Sequence, residues 1–532
     1  MRMVAIIVLL GAAVSARAEV PLGSAPRALF RHETELAAWD GQLGNHFGWT
    51  VSVSANTVVA GASNDSSGGL EWAGAAYVFV HDGTAWVQQQ KLVAADGAQG
   101  DHYGFAAAVS GDTLAVGAIN AHLPDNRFPG AVYVYTRSGG AWTLQQKLFP
   151  SDGLSGDQFG WSLALAGDTL VVGAATGGLG DAGAAYVFVR SGSTWTEQQK
   201  LVASDAFGRQ QLGTSVALSG DTVVAGAPYG FGAAGAAYVF TRSGTIWTQQ
   251  QKLLPSDGAT DDFFGYAVAL SGETALVGAL AHETPAGQDA GAAYVYVRSG
   301  TAWAQQQQLR ASDGAALDGF GYSAALAGDT AVIASSSADT AAGDRAGAAW
   351  VFSRSGTTWS ERSKITAPDG AAGEGFGFQM AMSEKTLAVT SLFGLGPPGA
   401  GLGTTYVLRA TGSYYALTPC RVADTRLTAT PLEANTVRPF PVGGLCGVPP
   451  DAEAVAASLT VVDPGDQGNL RVFPAGGAAP VASALNFAAG RTRAGNGIFP
   501  LGESGFIGVR CDMPASSAAS AHFVLDVQGY FR

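Results

Sequence analysis

The segment QFGWSLALAGDTLVVGA at residues 158–174, continued by GAAYVFVR at 183–190 and STWTEQQKL at 193–201, decides the reading of this chain. WSLALAG alternates apolar and small residues, and Gly167-Asp168 turns the chain. TLVVGA follows as a second, more buried strand and GAAYVFVR as a third. After Ser191-Gly192 comes a polar fourth strand expected at the outer edge. Gly supplies the unusual φ that tight hairpin connections need.

The unit recurs. Its aromatic-Gly step stands at Gly48, Gly104, Gly160, Gly265, Gly321 and Gly377, with a degenerate QLGT at Gly213, so the spacings are 56, 56, 53, 52, 56 and 56 residues. Four antiparallel strands repeated seven times at this period predict a β-propeller. The seventh copy lacks the WxxQQKL strand, whereas His32–Gly41 (HETELAAWDG) aligns with QQKLVAADG one period later. An N-terminal strand near residues 31–40 is therefore expected to close blade seven.

Composition agrees with many short strands. Of 532 residues 74 are Gly, and only 13% are charged, against roughly 7% and about 25% in average soluble chains. Such a balance excludes a disordered chain, collagen and a long coiled coil. Net charge is −13, of which residues 19–412 carry −14, so no nucleic-acid partner is expected. The first residues, MRMVAIIVLLGAAVSARAEV, place one Arg before a short apolar run ending in Ala16-Arg17-Ala18. That pattern predicts a signal peptide over residues 1–18. The expected localisation is secreted, at the cell surface or in the periplasm. No other run is long enough to span a membrane, and a monomer is expected.

After Thr411 the repeat stops. Residues 413–532 alternate apolar residues with Gly/Pro turns, which predicts a small β-sandwich-like domain. The fold class expected is thus all-β: a seven-bladed propeller over residues 19–412, then a sandwich over 413–532. All three cysteines lie in the second part: Cys420, Cys446 and Cys511. They allow one disulfide and a leftover thiol; Cys420–Cys446 would close the shortest loop, and the pairing stays open on spacing alone.

The seven copies resemble the FG-GAP repeat, the family that builds the integrin alpha-subunit head and many bacterial exported proteins. QLGTSVALSGDTVVAGAP at Gln211–Pro228 is the fullest GAP match, although Leu212 replaces the aromatic of FG. The resemblance implies an extracellular binding or adhesion role. Calcium does not carry over, because SGDT-type turns replace the family's D-x-D-x-D-G-x-x-D loop and one carboxylate cannot supply six to eight oxygens. Asp112, Asp168, Asp221 and Asp329 are read as turn residues, and no metal or cofactor is expected. The RSGxxW turns ending at Trp142, Trp195, Trp247, Trp303 and Trp359 resemble a sialidase Asp-box without its Asp, and these Trp are read as packing between blades. The C-terminal part resembles a domain with TPCRxxDTR, CGxP and LDVxGYF motifs, common at the end of exported bacterial proteins and of uncharacterised activity. Cys420 and Cys446 sit in its first two motifs, which favours their pairing; Asp424 and Arg426 are read as an internal salt bridge.

Strand alternation puts the two tight connections of each unit on one face and the two longer ones on the other. The second-to-third loops differ strongly between copies, and varied loops on a rigid scaffold are where binding resides. The ligand-binding candidates are Trp72, His122, Asp125, Arg127, Tyr229, Phe231, His282 and Glu283, for an extracellular protein or glycan. The same face carries Asn45, Asp101, Asp157, Gln210, Asp262, Asp318 and Glu374 at one repeat position, read chiefly as turn chemistry. An alternative makes them carboxylates at the channel mouth of an extracellular polysaccharide hydrolase or lyase. The seven His form no HExxH, and no G-x-S-x-G or P-loop occurs, so a non-enzymatic role is expected.

Overall fold

A computed structural model describes residues 29–532 apart from 67, 124, 179, 230–232, 394–401, 412–413, 451, 478, 481–482, 503–504 and 532. The expected signal peptide lies outside the described residues. Two compact units divide the chain, Ala28–Thr411 and a second that contains Gly412–Arg532. Every described regular element is a strand.

The first unit is a seven-bladed β-propeller. Six sheets take their four strands in sequence order, as in blade three with Phe159–Ala166, Thr169–Ala174, Ala184–Ser191 and Thr194–Leu201. In the seventh sheet, Phe376–Met382, Thr386–Ser391 and Thr404–Thr411 are completed by Leu29–Leu36, which pairs antiparallel with Thr404–Thr411. The second strands are buried at every residue in nearly every blade, because both their faces are covered by neighbouring blades. This is why they read as unbroken apolar runs. The core is correspondingly divided into one apolar layer per blade junction. The closing layer joins Leu36, Ala388 and Val407 of blade seven to Val58, Ala60 and Tyr77 of blade one.

The FG and GA motifs meet at these junctions. A Cβ built on Gly61 would fall 2.0 Å from the carbonyl oxygen of Gly104 in the next blade, and Gly104 itself sits at φ +86°. Two backbones approach there without room for side chains. The outer strands are stapled by glutamine. Gln146 accepts from the Trp195 N–H at 2.8 Å and donates to its carbonyl at 2.9 Å, while Gln145 accepts from the Trp195 indole at 2.9 Å. The same clamp joins Gln90 to Trp142, Gln199 to Trp247, Gln251 to Trp303 and Gln307 to Trp359. These Trp are thus buried between blades, as the repeat position suggested. The turn acids pair with the Arg of RSG: Asp168 accepts from Arg190, which also donates to Thr113 of the preceding blade and lies over Trp195.

Blade seven departs from this scheme on both sides. The clamp positions of blade six hold Arg362 and Ser363, Ala334 replaces the GA glycine before it, and Thr390 replaces the one within it. In blades one to four a Lys of the fourth strand and a Tyr of the third meet one Asp, as Lys147 and Tyr133 do on Asp96; Gln308 stands in for the Lys in blade five and Trp350 for the Tyr in blade six. Burial would raise the Asp96 carboxyl, but the bonds from Lys147 and Tyr133 outweigh it and lower its pKa. In blade seven Glu35 occupies the lysine register opposite Tyr406, and Tyr406 faces both Asp369 and Glu374.

The second unit is a two-sheet sandwich. One sheet orders Tyr414–Asp424, Ser520–Phe531, Ala454–Val462 and Arg493–Pro500, and the other Val437–Pro441, Phe506–Asp512, Gly468–Pro474 and Leu485–Phe487. Burial alternates strictly along Ala454–Val462, and the inward residues of both sheets share one core. Cys420 and Cys446 form a disulfide, while Cys511 is buried and free. Asp424 holds Arg426 at 2.7 Å and Arg421 at 3.2 Å.

Candidate ligand-binding face and channel

The innermost strands surround a central channel of about 550 Å³. Its lining includes the residue that follows the FG glycine of each repeat, and six of those seven residues are aromatic: Trp49, Phe105, Trp161, Tyr266, Tyr322 and Phe378. Ring centroids run from Trp161 to Phe105 at 4.8 Å, on to Trp49 at 5.3 Å and to Phe378 at 5.3 Å. Tyr322 follows at 5.6 Å and Tyr266 at 5.3 Å. The result is an open collar whose gap, in the degenerate blade four, holds Thr214. Tyr229 also lines the channel. Among the described residues no charged one does, and the wall hydroxyls of Ser162, Ser215 and Ser323 are spent on the carbonyls of Gly213, Gly265 and Gly377 in the next blade.

The collar lies toward the variable-loop face, because the innermost strands begin there. Among the described residues, fifteen large apolar side chains of the propeller are exposed; twelve lie in loops of this face and three on outer strands, one of which, Ile246, adjoins its tight turn. Trp39, Leu43, Trp72, Phe128, Phe207 and Phe393 are among the twelve. The loops of this face also contain 21 carboxylates against four arginines.

The residues singled out from sequence are spread over four blades and do not converge. Trp72, 53% exposed, belongs to blade one and lies near-parallel to His102, at 14° and 6.3 Å between centroids. In blade two, His122 faces Asp101 at 3.3 Å, and Arg127 spans Asp125 at 2.8 Å and the carbonyl of Gly153 at 2.6 Å, tying its own loop to the next. Tyr229 separates the channel from a second cleft of about 290 Å³, lined by Gln210, Ala234, Tyr238, Lys252 and Pro255. Phe231 lies outside the described residues. Glu283 is exposed. His282 requires a correction: only 4% exposed, it donates from Nδ1 to Asp262 (2.8 Å) and faces Asp257 (3.5 Å), so its imidazole is folded under the loop and is not offered to a ligand.

The acidic set is likewise internal. Asp101, Asp157, Asp262, Asp318 and Glu374 are 2–7% exposed. Each accepts from the backbone N–H three residues before it, as Asp157 does from Leu154 at 2.8 Å. None lines the channel. Burial raises the Asp157 and Asp318 carboxyls despite those bonds.

Sequence reasoning missed a cluster at the mouth. Asn64 Nδ2 lies 3.0 Å from His46 Nδ1, and its Oδ1 lies 3.1 Å from His102 Nδ1, which also faces the carbonyl of Ser63 at 3.2 Å. His46 stacks on the collar's Trp49 at 16° and 5.7 Å. The signal was present as HFGW and HYGF in adjacent copies, the only two with His before the aromatic.

A family model described as the FG-GAP repeat matches residues 30–79, 86–135, 142–188, 195–240, 247–296, 303–352 and 359–408. No curated protein matches the chain. Among solved structures, Sqt1 of Saccharomyces cerevisiae is similar at 9% identity and a TM-score of 0.39, covering 73% of this chain and 99% of that one.

Proposed function

The chain belongs to the FG-GAP repeat family, and from that premise we propose that it is an exported, non-enzymatic binding or adhesion protein that recognises an extracellular protein or carbohydrate through the variable-loop face of its propeller. One observation carries the reading: twelve of the fifteen exposed large apolar side chains of the propeller lie in the loops of that face, toward which an aromatic-lined channel opens. Concentrated exposed apolar surface marks interaction sites. The carboxylate excess of the same loops favours neutral or cationic ligands over polyanions. The hydrolase alternative needs ionised carboxylates open to substrate, and those at the channel end are buried in their own turns. The C-terminal sandwich is assigned no reaction and serves as an attachment or spacer module.

Glycan and protein arrays probed with the full chain test this. Binding is expected, weakened at least tenfold by Trp72→Ala or Tyr229→Ala and unchanged by Asp168→Asn on the tight-turn face. A ligand indifferent to the loop changes and sensitive to Asp168→Asn would overturn the assignment. Release of reducing ends from polysaccharide is expected to stay at the buffer background.

A further inference from the structure

The His46–Asn64–His102 bridge has a defined protonation pattern. The carbonyl of Ser63 can only accept, so His102 Nδ1 must carry a proton. Asn64 therefore presents Oδ1 to His102 and Nδ2 to His46, and His46 Nδ1 accepts. His46 is thus neutral with its proton on Nε2, while the Nδ1–H tautomer of His102 keeps a lone pair on Nε2. Burial and the neighbouring His102 both push His46 toward that neutral form. Neither Nε2 is a buried atom lacking a partner, and among the described residues neither has a protein partner, so both reach solvent: one as a donor, the other as an acceptor.

The bridge is built into the loop that carries Trp72. Ser66 Oγ donates to the Asn64 carbonyl at 3.2 Å and accepts from the Trp72 N–H at 3.0 Å. The His102 N–H donates to the Trp72 carbonyl at 3.0 Å. The Trp72 and His102 rings are near-parallel, at 14°, with centroids 6.3 Å apart. The left-handed backbone at His46 (φ 56°) and His102 (φ 53°) recurs at Gln158, Gln211 and Phe263 in other blades. The turn thus sets the geometry, and only blades one and two place imidazoles on it.

We propose that this ledge is a carbohydrate subsite for a neutral pyranose, whose C–H face lies on Trp72 and whose hydroxyls meet the donor and acceptor edges of His46 and His102. A sugar hydroxyl is at once a donor and an acceptor and matches such a pair, as a purely apolar side chain does not. The carboxylates of the surrounding loops disfavour anionic sugars. The inference rests on the variable-loop face being the binding face. Acid should weaken it: protonating His46 Nδ1 removes the acceptor for Asn64, which releases the loop holding Trp72. The groups facing the two imidazoles are Asn64, the Ser63 carbonyl, Trp49, Phe393 and Trp72 together with each other. Among the described residues no Asp, Glu, Lys or Arg pairs with either.

The test is calorimetric and fluorescence titration of the full chain with neutral β-1,4-glucosyl, N-acetylglucosaminyl, mannosyl and galactosyl hexasaccharides, and with a galacturonate hexamer. At least one neutral oligosaccharide is expected to bind saturably and the galacturonate at least tenfold more weakly. Trp72→Ala, an exposed change that leaves the fold intact, should lose at least tenfold, and Trp72→Phe should lose less. His102→Ala, verified by its melting curve, should weaken binding, and His46→Ala, verified likewise, should flatten its fall in acid. Absence of binding by all four neutral hexasaccharides, or binding indifferent to both Trp72→Ala and His102→Ala, overturns the proposal. If arrays then find a protein ligand sensitive to Tyr229→Ala, the binding-face reading stands and only the subsite falls. If no ligand of either class depends on the loops, both fall.

Discussion

Replacing Gln146 by Ala removes one complete staple between blades two and three. Two hydrogen bonds to the Trp195 backbone disappear, at 2.8 and 2.9 Å, while Gln145 keeps its bond to the indole. Each lost bond is worth about 1 kcal/mol, and a backbone group left without a partner costs ~1–3 kcal/mol, so the loss should be about 2–4 kcal/mol. The propeller spans residues 28–411; at about 2.1 cal/mol/K per residue, its unfolding entropy is roughly 0.8 kcal/mol/K. The melting temperature of the propeller should then drop by about 3–5 °C in differential scanning calorimetry. Ser363→Ala is the internal control, since Ser363 stands at the same register in blade six and clamps nothing. A drop below about 1 °C for Gln146→Ala, or an equal drop for Ser363→Ala, would refute the idea that the glutamines hold the blades together.

Three further outcomes are expected. Deleting residues 29–36 leaves Thr404–Thr411 with an open edge and takes Leu36 from the closing layer; the whole propeller transition should move down, and a transition unchanged in calorimetry would deny the strand its latching role. Glu35 has its pKa raised by burial and by Asp369 and Glu374, with His32 opposing. Its stabilising contribution is therefore present below its unfolded value and lost as pH rises through the folded one, so at pH 7 its charge is a burden. Glu35→Lys should restore the triad of other blades and add about 0.5–1 kcal/mol, with the gain in melting temperature shrinking at pH 4. In the sandwich, Cys420–Cys446 closes a separation of 26 residues, worth about 3.5 kcal/mol by chain entropy. Reductant should thus lower only the transition of that unit, whereas Cys511, its thiol pushed up to about 11 by burial and then by Asp512, should resist thiol reagents until the protein is denatured.

Blades one to six were legible because everything that forms one of them is local. Alternation, a two-residue turn and a buried TLVVGA run all act over fewer than ten residues, and repetition averages out the exceptions. Trp at one repeat position was readable as packing for the same reason. Its glutamine partners were not, because Trp195 and Gln146 are 49 residues apart and meet only when one blade leans on the next. The single misplaced site residue, His282, shows the opposite limit. A variable loop is exposed as a backbone, yet its imidazole reaches Asp262 and Asp257, 20 and 25 residues back, and is buried by them.

The sequence by itself determined the period, the seven units, the direction of the two faces and the strand missing from the seventh copy, since each follows from short-range backbone chemistry. Only the tertiary structure decided which residues share a site. Closing the ring brings the residue after each FG glycine, more than fifty positions from its counterpart, into one aromatic collar. It also sets His46 and His102 on either side of Asn64, 18 and 38 residues away. Those distances collapse because blades pack side by side around an axis, a constraint that acts between repeats and leaves no trace within any one of them.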